Sequence, residues 1–243
     1  MTKRSFAVFD IDGTVIRWQL YHAMADELAR MGHLNPKEFQ KVRVARMLWK
    51  KRAHATSFEA YEQTLVALID KAITGITVKD LETACRAVME EYKDQVYTYT
   101  RDLIMQLQRK NYLLFAISAS QAQVVGPIAG YYGFDDFGGS QYEVKDGHFT
   151  GRKEILMSEA KPEFLKQLVA KHGADWKGSY AVGDSEGDIA MLKAVERPIA
   201  FNPTKKLFRQ ASEQGWKIVL ERKNMVYELE YRDGSYVVAS TNT

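Results

Sequence analysis

Two short acidic clusters carry the clearest chemistry in this sequence. One is Asp10-Ile11-Asp12-Gly13-Thr14; the other is Gly183-Asp184-Ser185-Glu186-Gly187-Asp188. Alone, the first reads as a surface turn shaped by Asp12-Gly13. The second alone reads as a helix cap, where acids are favoured. Brought into one crevice, the carboxylates repel each other, and a hard divalent cation relieves that repulsion. Mg²⁺ takes few carboxylates and completes its shell with waters and substrate phosphate. Ligation by Asp10 and Asp184 therefore suits Mg²⁺ better than Zn²⁺, for which His and Cys ligands at metal spacing are missing. Ser118 and Lys161 fall between the clusters in chain order and add a hydroxyl and a cation.

The elements needed to bring these residues together are legible. Phe6-Ala7-Val8-Phe9 is a short apolar run ending at Asp10, as a strand buried on both faces would be. Tyr112–Ile117 is a second run, ending at Ser118, and Tyr180-Ala181-Val182 a third, ending at Gly183-Asp184. Ile199-Ala200-Phe201 and Ile218-Val219-Leu220 read as two shorter strands. Helical spacings lie between them: Leu103, Ile104 and Leu107; Phe164, Leu165, Leu168 and Val169; Ile189, Leu192 and Val195. Strands alternating with helices predict an α/β fold, a Rossmann-like, doubly wound parallel sheet. Ligands of such sheets bind beyond the carboxyl ends of the strands, where Asp10, Asp12, Ser118, Asp184 and Asp188 fall. Lys161 is placed at the start of the helix before the third strand, with Pro162 as a first-turn residue.

Residues 17–95 interrupt this rhythm. Leu20, Met24, Leu28 and Met31 form one helical stripe and Phe58, Tyr61, Leu65 and Leu68 another, with no convincing strand. The expected organisation is a catalytic core of residues 1–16 and 96–243 with an α-helical cap subdomain of residues 17–95 inserted after the first strand. Two hairpins are expected, one around Lys145-Asp146-Gly147 and one at about 225–239, turning at Asp233-Gly234. Whether the second extends the sheet or forms an oligomer edge is open.

The 243 residues, 46% hydrophobic and 27% charged, describe a folded soluble chain and exclude a disordered or fibrous one. Cys85 is the single cysteine, so there is no intramolecular disulfide and no cysteine-rich zinc site. No secretory signal is visible, because Asp10 and Asp12 break the first apolar run, and a cytoplasmic location is expected. The uncharged stretch Asn111–Phe134 carries Ser118, Ser120, Gln121, Gln123, Gly126 and Pro127, which favours strand, turn and helix over a membrane span. The net charge is +3, but residues 37–54 hold seven basic side chains against one acid, Glu38. That run reads as a solvated helix face or an electropositive lid over an anionic substrate. It lacks a nucleic-acid reading motif, so nucleic acid is not the expected partner, and with no membrane span neither is a membrane.

Taken together, the acidic motifs, Ser118 after its apolar strand and Lys161 resemble the four motifs of haloacid dehalogenase superfamily phosphatases. The helical insertion and the stretch Lys145–Gly151 are similar to subfamily IB, the phosphoserine-phosphatase-like branch. This resemblance implies a Mg²⁺-dependent phosphatase acting on a small phosphorylated metabolite. It implies Asp10 as nucleophile and Asp12 as general acid and base. It also implies Mg²⁺ on the Asp10 carboxylate, the Asp12 carbonyl and Asp184. Ser118, the Ala119 N–H and Lys161 would bind phosphate, and Asp188 would orient Lys161 or a metal-bound water.

Two positions depart from phosphoserine phosphatases. Gln19 stands where a Glu receives the substrate ammonium, and Leu65 stands where an Arg receives the carboxylate. Phosphoserine is therefore not the expected substrate; Trp18, Gln19 and the aromatic and basic cap residues suit one with an apolar or amide-bonding part. His22 lies close enough to the first motif to be a substrate contact, and the other histidines read as surface residues. Phosphotransfer to an acceptor other than water, or an idle binding protein on the same fold, are the alternatives. The oligomeric state is not legible.

Overall fold

The computed structural model describes residues 3–242. The first apolar run forms β1 (Ser5–Phe9), and its alternation is two-sided. Ala7 and Phe9 join the hydrophobic cluster on one face of the sheet, while Phe6 and Val8 join the cluster on the other. β1 pairs in parallel with β2 (Leu113–Gln121) and with β5 (Asp175–Gly183). β3 (Asp136–Lys145), β6 (Arg197–Phe201) and β7 (Lys217–Arg222) extend the parallel sheet. β4 (His148–Ile155), β8 (Met225–Arg232) and β9 (Ser235–Asn242) are antiparallel, and the nine-stranded order is β4-β3-β2-β1-β5-β6-β7-β8-β9. α5 (Thr98–Arg109) and α6 (Ala122–Tyr131) pack on the Ala7 and Phe9 face. α7 (Met157–His172), α8 (Ile189–Lys193) and α9 (Lys205–Gln214) pack on the other, so the sheet is doubly wound. The strand order reverses at β1, which opens a crevice beyond the carboxyl ends of β1, β2 and β5.

Residues between β1 and α5 form α1 (Leu20–Arg30), α2 (Pro36–Lys50), α3 (Ser57–Ala72) and α4 (Val78–Tyr92), with a 3-10 turn at Ile73–Gly75. Asn35 caps α2 by accepting from the Lys37 and Glu38 N–H groups, with Pro36 opening the helix. The chain enters and leaves this layer side by side. Arg17 N–H donates to the Gln95 carbonyl at 2.8 Å, Tyr97 N–H to the Val15 carbonyl at 3.1 Å, and Ile16 bridges Val96. The layer has no hydrophobic core of its own: buried residues of α1, α3 and α4 run on into the cluster that covers Ala7 and Phe9.

Three local expectations need correction. α7 begins at Met157, so Lys161 and Pro162 occupy its second turn rather than its first. The Met157 N–H donates to Ser140 Oγ of β3 at 3.1 Å, a tertiary cap that local pattern does not reveal. Met157, Lys161, Leu165 and Leu168 then share the buried stripe of the helix. The first hairpin turns on two residues, not three: Lys145 pairs with His148, and Asp146 and Gly147 take φ of 51° and 77°. The first half of β3 is absent from the sequence reading because Gly138-Gly139 is a poor strand former. Packing demands both glycines: a Cβ on Gly139 would lie 2.6 Å from Ala122 Cα, and one on Gly138 would lie 2.4 Å from the Phe164 ring. The C-terminal hairpin extends the sheet, since β8 pairs with β7, and β9 runs on to Asn242.

Candidate active site

Asp10 leaves β1 with its N–H on the Val182 carbonyl of β5 at 2.9 Å, which fixes it at the strand ends. Its side chain is buried, and Oδ1 accepts from Lys161 Nζ at 2.7 Å. The same ammonium donates to Asp188 Oδ1 at 2.6 Å. The second Asp188 oxygen accepts from the Asp184 N–H at 3.2 Å and from the Ser185 N–H and hydroxyl at 3.0 Å each. Gly183 is required beneath it, because a Cβ there would lie 2.5 Å from Asp188 Cβ. Asp10, Asp184 and Asp188 offer carboxylate oxygens within 4.8 Å of one another.

Asp12 completes the cluster on the β2 side. One oxygen accepts from the Leu20 N–H at the start of α1, and the other from the Ser118 hydroxyl. Ser118 Oγ in turn accepts from the Ser120 N–H at 3.0 Å, and Ser120 Oγ from the Tyr21 N–H at 3.1 Å. The first turn of α1 is thereby tied to the end of β2 through two side-chain oxygens. Gly13 sits between the motifs with φ +79°; a Cβ there would lie 2.3 Å from Asp184 Oδ2 and 3.4 Å from Gln19 Nε2. Gln19 therefore faces the same crevice. Ala119 is the exposed residue of β2, with its carbonyl taken by the Ser140 hydroxyl at 2.7 Å.

The charges do not balance. Burial pushes the Asp10 carboxyl up to about 8; Lys161 pulls it back down, and Asp188 and Asp12 add to the rise. Asp184 is raised well above the usual carboxylate range by burial, then by Asp10 and Asp188. Asp12 is raised by burial, against the hydrogen bonds from Ser118, Leu20 and Ser120. Burial opposes the charge on Lys161, but Asp10 and Asp188 outweigh it and hold the ammonium protonated. Four acids around one ammonium leave the crevice short of positive charge.

The structure thus brings Asp10, Asp12, Ser118, Lys161, Asp184 and Asp188 together, with Gln19 at the edge. His22 is set elsewhere: it is 2% exposed, among the rings of Trp49, Phe58 and Tyr61, and its Nδ1 has no partner. It has the burial of a core histidine. Two further residues escaped sequence reading. Ser120 is one, although its alternation with Ser118 along β2 was a signal. Glu62 of α3 is the other; its carboxyl is pushed up to about 7 by burial, then by Asp12, Glu186 and Glu59. Nothing in a helical stripe marks that position as facing the crevice.

The chain is similar in sequence and in fold to known proteins. A probable phosphatase of Mycobacterium tuberculosis is 27% identical over 228 residues, covering 89% of this chain and 75% of that protein. The histidinol-phosphatase of Neisseria meningitidis serogroup C is 25% identical over 225 residues, covering 89% of this chain and 98% of that enzyme. In fold, the chain is similar to a phospho-aspartyl intermediate analogue of phosphoserine phosphatase, with TM-score 0.61, 21% identity, and 91% and 95% of the two chains covered. The haloacid dehalogenase-like hydrolase family matches residues 7–193, and the chain belongs to that family.

Proposed function

We propose that the protein is a Mg²⁺-dependent phosphatase that hydrolyses a small phosphomonoester through an aspartyl-phosphate at Asp10. The observation that carries this reading is the meeting of Asp10, Asp12, Ser118, Lys161 and Asp184 in one crevice beyond three neighbouring strands. The phosphatase relatives support it.

The donor set fits Mg²⁺. Both Asp188 oxygens are already taken by N–H and O–H donors, whereas among the described residues no donor bonds the Asp184 carboxylate, and Asp10 has one oxygen free of Lys161. Asp10, the Asp12 carbonyl and Asp184 would hold the ion, and Asp188 would orient Lys161. Mg²⁺ supplies the positive charge that the four acids lack and offsets the charge of the phosphoryl oxygens.

The chain's own residues then divide the work. An Asp10 carboxylate oxygen attacks phosphorus, and the bond from phosphorus to the leaving oxygen breaks. Asp12, raised by burial and so able to hold a proton, gives it to that oxygen. Asp12 next takes a proton from water as the water oxygen attacks phosphorus, releasing inorganic phosphate and the Asp10 carboxylate. Lys161, the Ser118 hydroxyl and the Ala119 N–H bind the non-bridging oxygens, where charge must be held.

The cap sets the substrate. Gln19 brings an amide to the crevice edge, and Leu65 is fully buried in the hydrophobic cluster. Neither offers a charge to a serine ammonium or carboxylate, so a substrate other than phosphoserine fits better. A phosphate-release screen over a panel of phosphomonoesters, with and without Mg²⁺, tests the reading. We expect Mg²⁺-dependent release that Asp10→Asn abolishes; release at an unchanged rate from folded Asp10→Asn protein refutes it.

A further inference from the structure

The outer face of α2 takes no part in the proposed hydrolysis, and its composition is unusual. Val42 is the buried residue of this helix, with Phe39, Ala45 and Trp49 partly buried beside it. On the opposite side Val44, Met47 and Leu48 are 53%, 50% and 46% exposed. Their spacing of three and four residues makes one contiguous aliphatic stripe. Lys37, Lys41 and Lys51 recur on the same face, Arg43 flanks it, Lys50 reaches over the Trp18 ring, and Arg52 stands at the tip of the α2–α3 connection; all six are exposed.

Little of this charge is neutralised. Glu38 is taken by Lys41 at 2.9 Å, and Arg46 turns inward to Asp26 at 2.8 Å. Among the described residues, Lys37, Arg43, Lys50, Lys51 and Arg52 have no acidic partner. A merely solvated face does not account for three aliphatic side chains in a row. A nucleic acid, bound through phosphates and base edges, has no use for that stripe. A second copy of this chain would set cations against cations. An anionic bilayer accepts both features at once. Aliphatic side chains enter the boundary between headgroups and acyl chains, while lysine and arginine stems reach the anionic headgroups.

We propose that the outer face of α2 docks the protein peripherally on an anionic lipid bilayer. This departs from the partner expected from the sequence, because the sequence does not show which apolar residues the basic run leaves in water. No helix among the described residues is long and apolar enough to cross a membrane, so the contact is with the surface. It is independent of the hydrolytic reading.

Co-sedimentation of the full chain with phosphatidylcholine vesicles, with and without phosphatidylglycerol, tests the proposal. Binding is expected only with phosphatidylglycerol, and it should weaken as salt rises. The triple variant Lys37→Glu, Arg43→Glu, Lys51→Glu should bind at least about a hundredfold more weakly, since each cation near such a surface contributes about fivefold. The triple variant Val44→Ser, Met47→Ser, Leu48→Ser should lose the binding that survives high salt. Circular dichroism checks that both remain folded. Equal binding to neutral vesicles, no binding to anionic vesicles at low salt, or wild-type binding by the serine variant would each overturn the proposal. Duplex DNA that outcompetes the vesicles for both wild type and serine variant would point to nucleic acid instead and overturn it too.

Discussion

Acid should destabilise this protein through His22. The ring is 2% exposed, its centroid lies 4.7 Å from that of Tyr61, and no group bonds its Nδ1. Burial, then the Arg46 charge, pushes it down to about 3 from an ordinary 6.5. Between these values the unfolded chain binds a proton that the folded chain refuses. The stabilising contribution is therefore whole above pH 6.5 and falls as pH drops towards 3. From pH 7 to pH 4 the drop spans about 2.5 units below the unfolded value, or about 3 kcal/mol at roughly 1.4 kcal/mol per unit. Carboxylates also titrate in this range, so the measurement is a difference: urea unfolding of the wild type and of His22→Phe at both pH values. Phenylalanine suits the surrounding rings and sacrifices no hydrogen bond, so at pH 7 the two should agree within about 1 kcal/mol. At pH 4 the variant should be the more stable by about 3 kcal/mol. Stability curves that stay parallel from pH 7 to pH 4 refute the picture of a neutral histidine sealed among aromatic rings.

Lys161→Met leaves Asp10 and Asp188 buried without their cation. A loss of about 3–5 kcal/mol is expected, seen as a fall in Tm of roughly 6–20 °C that Mg²⁺ partly reverses; an unchanged Tm would show that the pair does not hold the crevice together. Gly13→Ala combines a φ of +79° with a Cβ 2.3 Å from Asp184 Oδ2. Displacing Asp184 should lower kcat/KM by roughly a hundredfold, and wild-type kinetics would show that Asp184 is not needed where it sits. Ser118→Ala removes a hydrogen bond that holds the Asp12 carboxyl down. The alkaline limb of the rate profile, where Asp12 must still carry its proton, should move to higher pH, and an unmoved limb would separate the two residues. In the substrate screen phosphoserine should rank well below the best ester; a phosphoserine preference would show that Gln19 and Leu65 have been misread.

The strands that carry the site were legible because each is a short apolar run ending in a polar residue. Phe6–Phe9, Tyr112–Ile117 and Tyr180–Val182 all lie within or at the start of central strands of the sheet. What escaped was decided by contacts remote in sequence. The start of α7 depends on Ser140, seventeen positions earlier, so local pattern puts Pro162 in the first turn although it lies in the second. Gly138 and Gly139 look like strand breakers until Phe164 and Ala122 are seen pressed against them. Glu62 carries no motif, because an inserted helix is read from its apolar stripe and the stripe omits Glu62. His22 is close to the first motif along the chain, but α1 turns it in among the rings of Trp49, Phe58 and Tyr61.

The pairing of Asp12 with Ser118 links the two halves of the proposed reaction. In this structure both Asp12 oxygens accept, one from the Leu20 N–H and one from the Ser118 hydroxyl, an arrangement suited to a carboxylate. Ser118 Oγ already accepts from the Ser120 N–H. A proton arriving on the Asp12 oxygen that faces Ser118 meets a hydroxyl that is donating, so that hydroxyl must rotate away. The acceptor it needs next is a phosphate oxygen. Protonation of the acid and capture of the phosphoryl group are thus favoured together, while Leu20 N–H keeps its hold on the other Asp12 oxygen. The same bond fixes the first turn of α1, so that helix is anchored to the carboxyl group proposed as the general acid.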